Sequence, residues 1–242
     1  MLSKRLKEYY HFLKTLFKTN IRLLWGMWKL TKLPQPAITI FGSARVDPES
    51  LICKQARQFA KLLAAKEFSI ITGGGPGIMN AANEGAIDHL KEEHLEGYLK
   101  NKEVISAGIG LIRLNKDFKN PFVQEYIETD HFFARKWLLV RYSVGFVIFP
   151  GGFGTLDELL EITTLIQCNR MPKTPVILIG SYYWTPFLDW VKNNSLREGF
   201  IDKQDVSIFT ITDDIDEAAN IILRVCQDMK QCSLRNDKNV IE

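Results

Sequence analysis

The spacing of hydrophobic positions changes once along this chain, at Lys32–Pro36. Before that point Leu2, Leu6, Tyr9, Leu13, Leu16, Phe17, Leu24, Met27 and Trp28 recur every three or four residues. Lys7, Lys14, Lys18, Arg22 and Lys29 fall largely on the other sides, so the pattern predicts an amphipathic helix over 2–30. Gly26 is expected to weaken it locally. "KLPQP" ends it, because each proline lacks an N–H and restricts the residue before it. Beyond Pro36, short apolar runs alternate with helical stretches. The runs are AITIFG, FSIITGGG, VISAGIGL, VGFVIFPGG, TPVILIG and a shorter FTIT. They lack apolar–polar alternation, as strands covered on both faces do. Such a series predicts an α/β fold: a Rossmann-like, doubly wound parallel sheet with helices on both faces, plus an N-terminal helical extension. The expected boundaries are 1–36 for the extension, 37–230 for the α/β domain and 231–242 for a polar tail.

Charge separates the same two parts. Of 31 Lys and Arg and 28 acids in the 242 residues, the first 33 hold eight bases and one acid, Glu8. The rest therefore holds 23 bases and 27 acids, a balance of −4. A body of that sign lacks the clustered cations that follow nucleic-acid phosphates, so nucleic-acid binding is not expected. Cys53, Cys168, Cys226 and Cys232 form no CxxC pair, and His89 and His94 are five apart, off one helix face. No metal site is expected, and the thiols suit a reduced, cytoplasmic setting. No run of 18 apolar residues is present, nor the apolar core of a signal peptide.

Three of the predicted strands end in small-residue loops: FGSAR (Phe41–Arg45), TGGGPG (Thr72–Gly77) and PGGFGT (Pro150–Thr155). Ligands of open parallel sheets bind beyond the carboxyl ends of the strands. Glycine lets backbone N–H groups approach an anion, and a following helix adds its partial positive charge. Together the loops predict a phosphate cradle made of backbone. It is neither common kind: no Gly-Lys pair exists for a P-loop, and Ile78 stands where the dinucleotide fingerprint needs glycine. Behind the third loop, Thr155-Leu156-Asp157-Glu158 fits a capping box. Equally, Asp157 or Glu158 on a first helical turn would stand beside a bound phosphate and ribose. "ARK" (Ala134–Lys136) puts two cations at a helix start, against the dipole, a placement that suits a ligand.

The pieces GGGPGIMNAANEGA, FFARK and PGGFGTLDE resemble the LONELY GUY family of nucleotide phosphoribohydrolases, over about residues 37–230. Many bacterial relatives carry an old lysine decarboxylase label. The resemblance implies a hydrolase that frees the base of a nucleoside 5′-monophosphate, AMP or a cytokinin riboside monophosphate, with no cofactor. It implies Arg135 and Glu158 as catalytic residues. Lys136, Gly151, Gly152, Gly154, Thr155 and Asp157 are implied as substrate-binding, with Ser43, Arg45, Gly74 and Gly75 from the earlier loops. In "LNKDFKNPF" Asp117 replaces a family glutamate that contacts substrate, and Phe132-Phe133-Ala134 replaces the plant Met-His pair, so the chain resembles the bacterial branch. The family commonly forms homodimers. A non-catalytic nucleotide or molybdenum-cofactor carrier on the same fold is the alternative, and a pyridoxal-phosphate decarboxylase a more distant one. Residues 1–33, basic and aromatic, are expected to pack on the body or a second copy, or to contact a membrane surface or partner.

Overall fold

The computed structural model describes residues 2–92, 104–112, 114 and 118–238. Seven strands make one parallel sheet: β1 (Ala37–Phe41), β2 (Ser69–Thr72), β3 (Ser106–Leu111), β4 (Glu125–Thr129), β5 (Ser143–Ile148), β6 (Val176–Ile179) and β7 (Phe209–Thr212). Their order is β4-β3-β2-β1-β5-β6-β7, so the winding reverses between β1 and β5. The helices are α1 (Leu2–Leu30), α2 (Leu51–Ala64), α3 (Ile78–Glu92), α4 (Phe132–Arg141), α5 (Phe153–Gln167), α6 (Ser181–Trp190), α7 (Lys203–Val206) and α8 (Ile215–Lys238). A π-helical turn, Val191–Leu196, follows α6.

Each central strand feeds two cores. Ile38 and Ile40 of β1 pack with α2, α3 and α8 residues such as Phe59, Ala82 and Ile222. Ala37 and Phe41 of the same strand face Leu30, Leu138, Leu159 and Trp184 from α1, α4, α5 and α6. This double covering is why the strands read as unbroken apolar runs.

Besides a short α7 that was not expected and an α8 that runs on to Lys238 within the expected tail, three elements depart from the sequence reading. Strand β4 was not expected: at this sheet edge only Ile127 and Thr129 are buried, and Glu125, Tyr126 and Glu128 leave too little apolar signal. Helix α5 starts at Phe153, two residues before the expected Thr155. Helix α1 runs unbroken through Gly26. A Cβ there would stand 2.9 Å from both Ile127 and Leu138, so this glycine is where the helix crosses β4 and α4 closely.

Candidate active site

Because β1 lies between β2 and β5, the three glycine-bearing loops sit side by side at the carboxyl edge, at the point where the winding reverses. Backbone bonds stitch them together. The Ser43 N–H donates to the Pro150 carbonyl at 3.1 Å, and the Ile78 N–H donates to the Ser43 carbonyl at 3.0 Å. Gly77 has φ +66°, and a Cβ on it would collide with the Ser43 carbonyl oxygen, so the second loop needs glycine there. Beneath it, the Thr72 hydroxyl bonds Asn83 at 2.6 Å and accepts from the Gly74 N–H at 3.0 Å. Asn83 also meets Ser106 and Asn120, a buried network that fixes the loop against α3 and β3.

The third loop combines a packed residue with an open edge. A Cβ on Gly151 would run into the Thr155 hydroxyl and the Ser43 N–H, and the Tyr183 hydroxyl holds the Gly151 carbonyl from α6. A Cβ on Gly152 or Gly154 would meet nothing within 4 Å. Neither has positive φ, so neither packing nor backbone strain asks for glycine at these two positions. Gly152 caps α5; its carbonyl takes the Thr155 and Leu156 N–H groups, and the Phe153 and Gly154 N–H groups before them have no intrahelical acceptors. The Ser43 hydroxyl accepts from the Arg45 N–H at 3.1 Å, and the Arg45 side chain is exposed at the loop edge. Gly74 and Gly75 are buried in the second loop.

Glu158 does not close a capping box. The Thr155 N–H donates to the Gly152 carbonyl at 2.9 Å, and no side chain caps α5. The carboxylate instead turns inward on the second helical turn and is 3% exposed. Its Oε1 lies 3.4 Å from Nη1 of Arg135, and its Oε2 is buried with no hydrogen-bond partner. Burial raises the Glu158 pKa to about 7, against the opposing pull of Arg135 and Lys136. Arg135 projects from the first turns of α4. Its Nε donates to the Ile109 carbonyl at 2.9 Å, and its other guanidinium nitrogen passes over Gly73, where a Cβ would displace it. Burial lowers its pKa from the usual value, with Glu158 working the other way.

Lys136, the next residue, points elsewhere. Its Nζ bonds Asp157 at 2.8 Å and Glu161 at 2.7 Å. Burial acts to lower its pKa, but hydrogen bonds to these two acids outweigh that and raise it. The three line a groove of about 780 Å³ facing α1, with Leu23, Phe133, Trp137 and Leu160. Asp117 lies outside the described residues.

Sequence reading missed Tyr126. Its ring runs along β3 over Gly108 and Gly110 and reaches Gly74, where a Cβ would stand 2.7 Å from the ring. Burial raises the phenol's pKa, aided by Glu128 and opposed by Arg135, which places the phenol within electrostatic reach of the guanidinium. The signal was present: glycines two apart in SAGIG mark a strand face that something must approach.

Residues 79–222, more than half of the chain, match the family model described as "Possible lysine decarboxylase". Relatives of this kind bear cytokinin riboside 5′-monophosphate phosphoribohydrolase names. The chain belongs to the LONELY GUY family. Among its relatives, an Escherichia coli pyrimidine/purine nucleotide 5′-monophosphate nucleosidase is 31% identical over 131 residues, 52% of this chain and 27% of that protein. A rice protein (Oryza sativa subsp. japonica) named "Probable cytokinin riboside 5′-monophosphate phosphoribohydrolase" is 29% identical over 151 residues, 60% of this chain and 64% of the relative. The chain thus spans about a quarter of the first relative and under two thirds of the second. The fold also superposes on the molybdenum cofactor carrier protein of Chlamydomonas reinhardtii, with TM-score 0.57 and 18% identity, covering 80% of this chain and 99% of that one. At that identity the likeness speaks for the fold alone.

Proposed function

We propose that this LONELY GUY family member hydrolyses the N-glycosidic bond of nucleoside 5′-monophosphates, of AMP or a cytokinin riboside monophosphate, to free base and ribose 5-phosphate. The carrying observation is the buried Glu158 carboxylate, half unpartnered, held against Arg135, whose guanidinium lies over Gly73 of the second glycine loop. In the reaction the C1′–N bond breaks, its electron pair leaves with the base, and C1′ gains positive charge. Water adds its oxygen to C1′ and gives up a proton. Glu158 stabilises the cationic sugar and accepts that proton; the departing base nitrogen takes up a proton through solvent, so that neutral base and ribose 5-phosphate leave and the carboxylate is restored. A pKa of about 7 leaves it ionised in part at neutral pH and able to act as a base. Arg135 orients Glu158 and stabilises negative charge on the substrate. The 5′-phosphate sits at the start of α5, where Gly152 and Gly154 leave the backbone bare for it. Binding energy at that unreactive end holds C1′ beside the carboxylate.

The names of the relatives support this substrate class. The decarboxylase label fits less well, because a Schiff-base lysine needs a lowered pKa and Lys136 has a raised one. The test incubates wild type and Glu158→Ala with AMP, GMP, CMP and isopentenyladenosine monophosphate, following base and ribose 5-phosphate by chromatography. Release by wild type and a loss of about 10³-fold in the variant, with nucleotide binding kept, supports the reading. No release from any nucleotide by folded wild type refutes it in favour of a carrier.

A further inference from the structure

Helix α1 gives the body only part of its apolar surface: Leu30 is buried there, and Leu23 and Met27 pack against the same core. Its 29 residues extend about 43 Å. A basic flank beside Leu23, Met27 and Leu30 is also turned to the body: Arg22 bonds Asp130 at 2.5 Å, Lys18 lies 3.7 Å from the same acid, and Lys29 pairs with Glu125. Gly26 and the buried Thr19 complete that contact. The rest of the apolar stripe faces out. Tyr10 is 70% exposed, Phe17 69% and Leu24 64%, and Leu6, Tyr9 and Trp28 are exposed along the same side. Ion pairs and a close glycine crossing fix this roll, so the outward stripe is built in.

We infer that α1 seats the protein on an anionic lipid bilayer, its stripe sunk into the headgroup region and its basic flank against lipid phosphates. Charge selects this occupant. Among the described residues Arg5, Lys7 and Lys14 form no ion pair, and Glu8 is the only acid of α1. On one flank of the stripe His11, Lys14 and Lys18 line a cleft with His131. Pairing two copies through α1 would set one strongly basic helix against another. The acids of the groove beside α1, Asp157 and Glu161, are both already paired with Lys136. Tyr and Trp at both ends of the stripe are the side chains that favour a membrane interface. No helix among the described residues is long and apolar enough to cross a membrane, so α1 lies on the surface.

The test pellets the whole protein with vesicles of phosphatidylcholine alone or mixed with phosphatidylglycerol. Expected is binding to the mixed vesicles at least about tenfold stronger than to the neutral ones, and weakened by salt. Phe17→Ser/Leu24→Ser should abolish it, and Lys7→Glu/Lys14→Glu should remove the preference for anionic lipid. Should the first variant fail to fold, the second, on the exposed flank, decides alone. Three results overturn the inference: folded wild type that stays in the supernatant, equal binding to both vesicles, or a Phe17→Ser/Leu24→Ser variant that binds vesicles normally but changes from dimer to monomer in sedimentation equilibrium. The last would assign the stripe to a second copy.

Discussion

Two neighbouring residues of α4, Arg135 and Lys136, each reach a carboxylate of α5, and the two pairs are opposites. Lys136 holds Asp157 and Glu161 at ordinary ion-pair distances, and the hydrogen bonds raise its pKa. Arg135 stands 3.4 Å from Glu158, with one carboxylate oxygen unpartnered and both groups pushed by burial toward their neutral forms. The Lys136 pairs are close and line a groove, where they join two helices, although Glu161 Oε2, like Glu158 Oε2, is buried with the ion pair as its only polar contact. The Arg135–Glu158 pair is wider, more deeply buried and shifted on both sides, and perturbed groups of that kind concentrate where chemistry happens. The difference separates what α4 and α5 do for the fold from what they would do in the proposed reaction.

Breaking the inner pair should have the largest effect. Arg135→Lys keeps the charge but has one nitrogen where the guanidinium reaches Ile109, Glu158 and the space over Gly73. Base release should fall about 100-fold at unchanged stability, measured as kcat/KM together with Tm. Loss of stability without loss of activity would make Arg135 a structural residue like its neighbour.

Breaking the outer pair should cost far less. Lys136→Met should lower kcat/KM by a few fold. Because the Lys136 charge holds the Glu158 pKa down, its loss should also move the rising limb of the pH profile above about 7. A loss as large as that of Arg135→Lys, with the limb unmoved, would put Lys136 on the substrate.

The smallest effect sharpens the comparison through stability. Glu158 binds its proton more tightly folded than unfolded, since its pKa is about 7 against an ordinary 4.5. Between those values the folded state carries more protons, so stability falls as pH rises through the window. Glu158→Gln cannot ionise. Its Tm should match wild type near pH 4 and exceed it by a few degrees at pH 8. Parallel curves would show that the carboxylate is solvated and that the pair is not under-satisfied.

Much of the candidate site's geometry was legible in advance. PGGFGT, ARK and the spacing to Glu158 are local, and the loops at strand ends followed from strand–helix alternation. Edge strand β4 was not legible, because an exposed edge needs few apolar residues; the glycines of SAGIG signalled that something approaches β3, but not that it is Tyr126. The capping-box alternative survived on spacing alone. It fell only because α5 starts at Phe153, a choice made by the loop's contacts with Ser43 and Tyr183.

The sequence by itself determined the elements and their chemistry: periodicity sets helix or strand, proline sets the end of α1, and glycines mark where backbone is left bare. Only the tertiary structure decided which partner each charge found. Arg135 and Lys136 are adjacent in the chain, yet 100° apart around a helix. One side of that helix is sealed under the sheet edge and the other opens on a groove. The roll of α1 was set the same way, by residues some hundred positions downstream: Asp130 and Glu125 pair with its basic flank, and Ile127 and Leu138 crowd against Gly26.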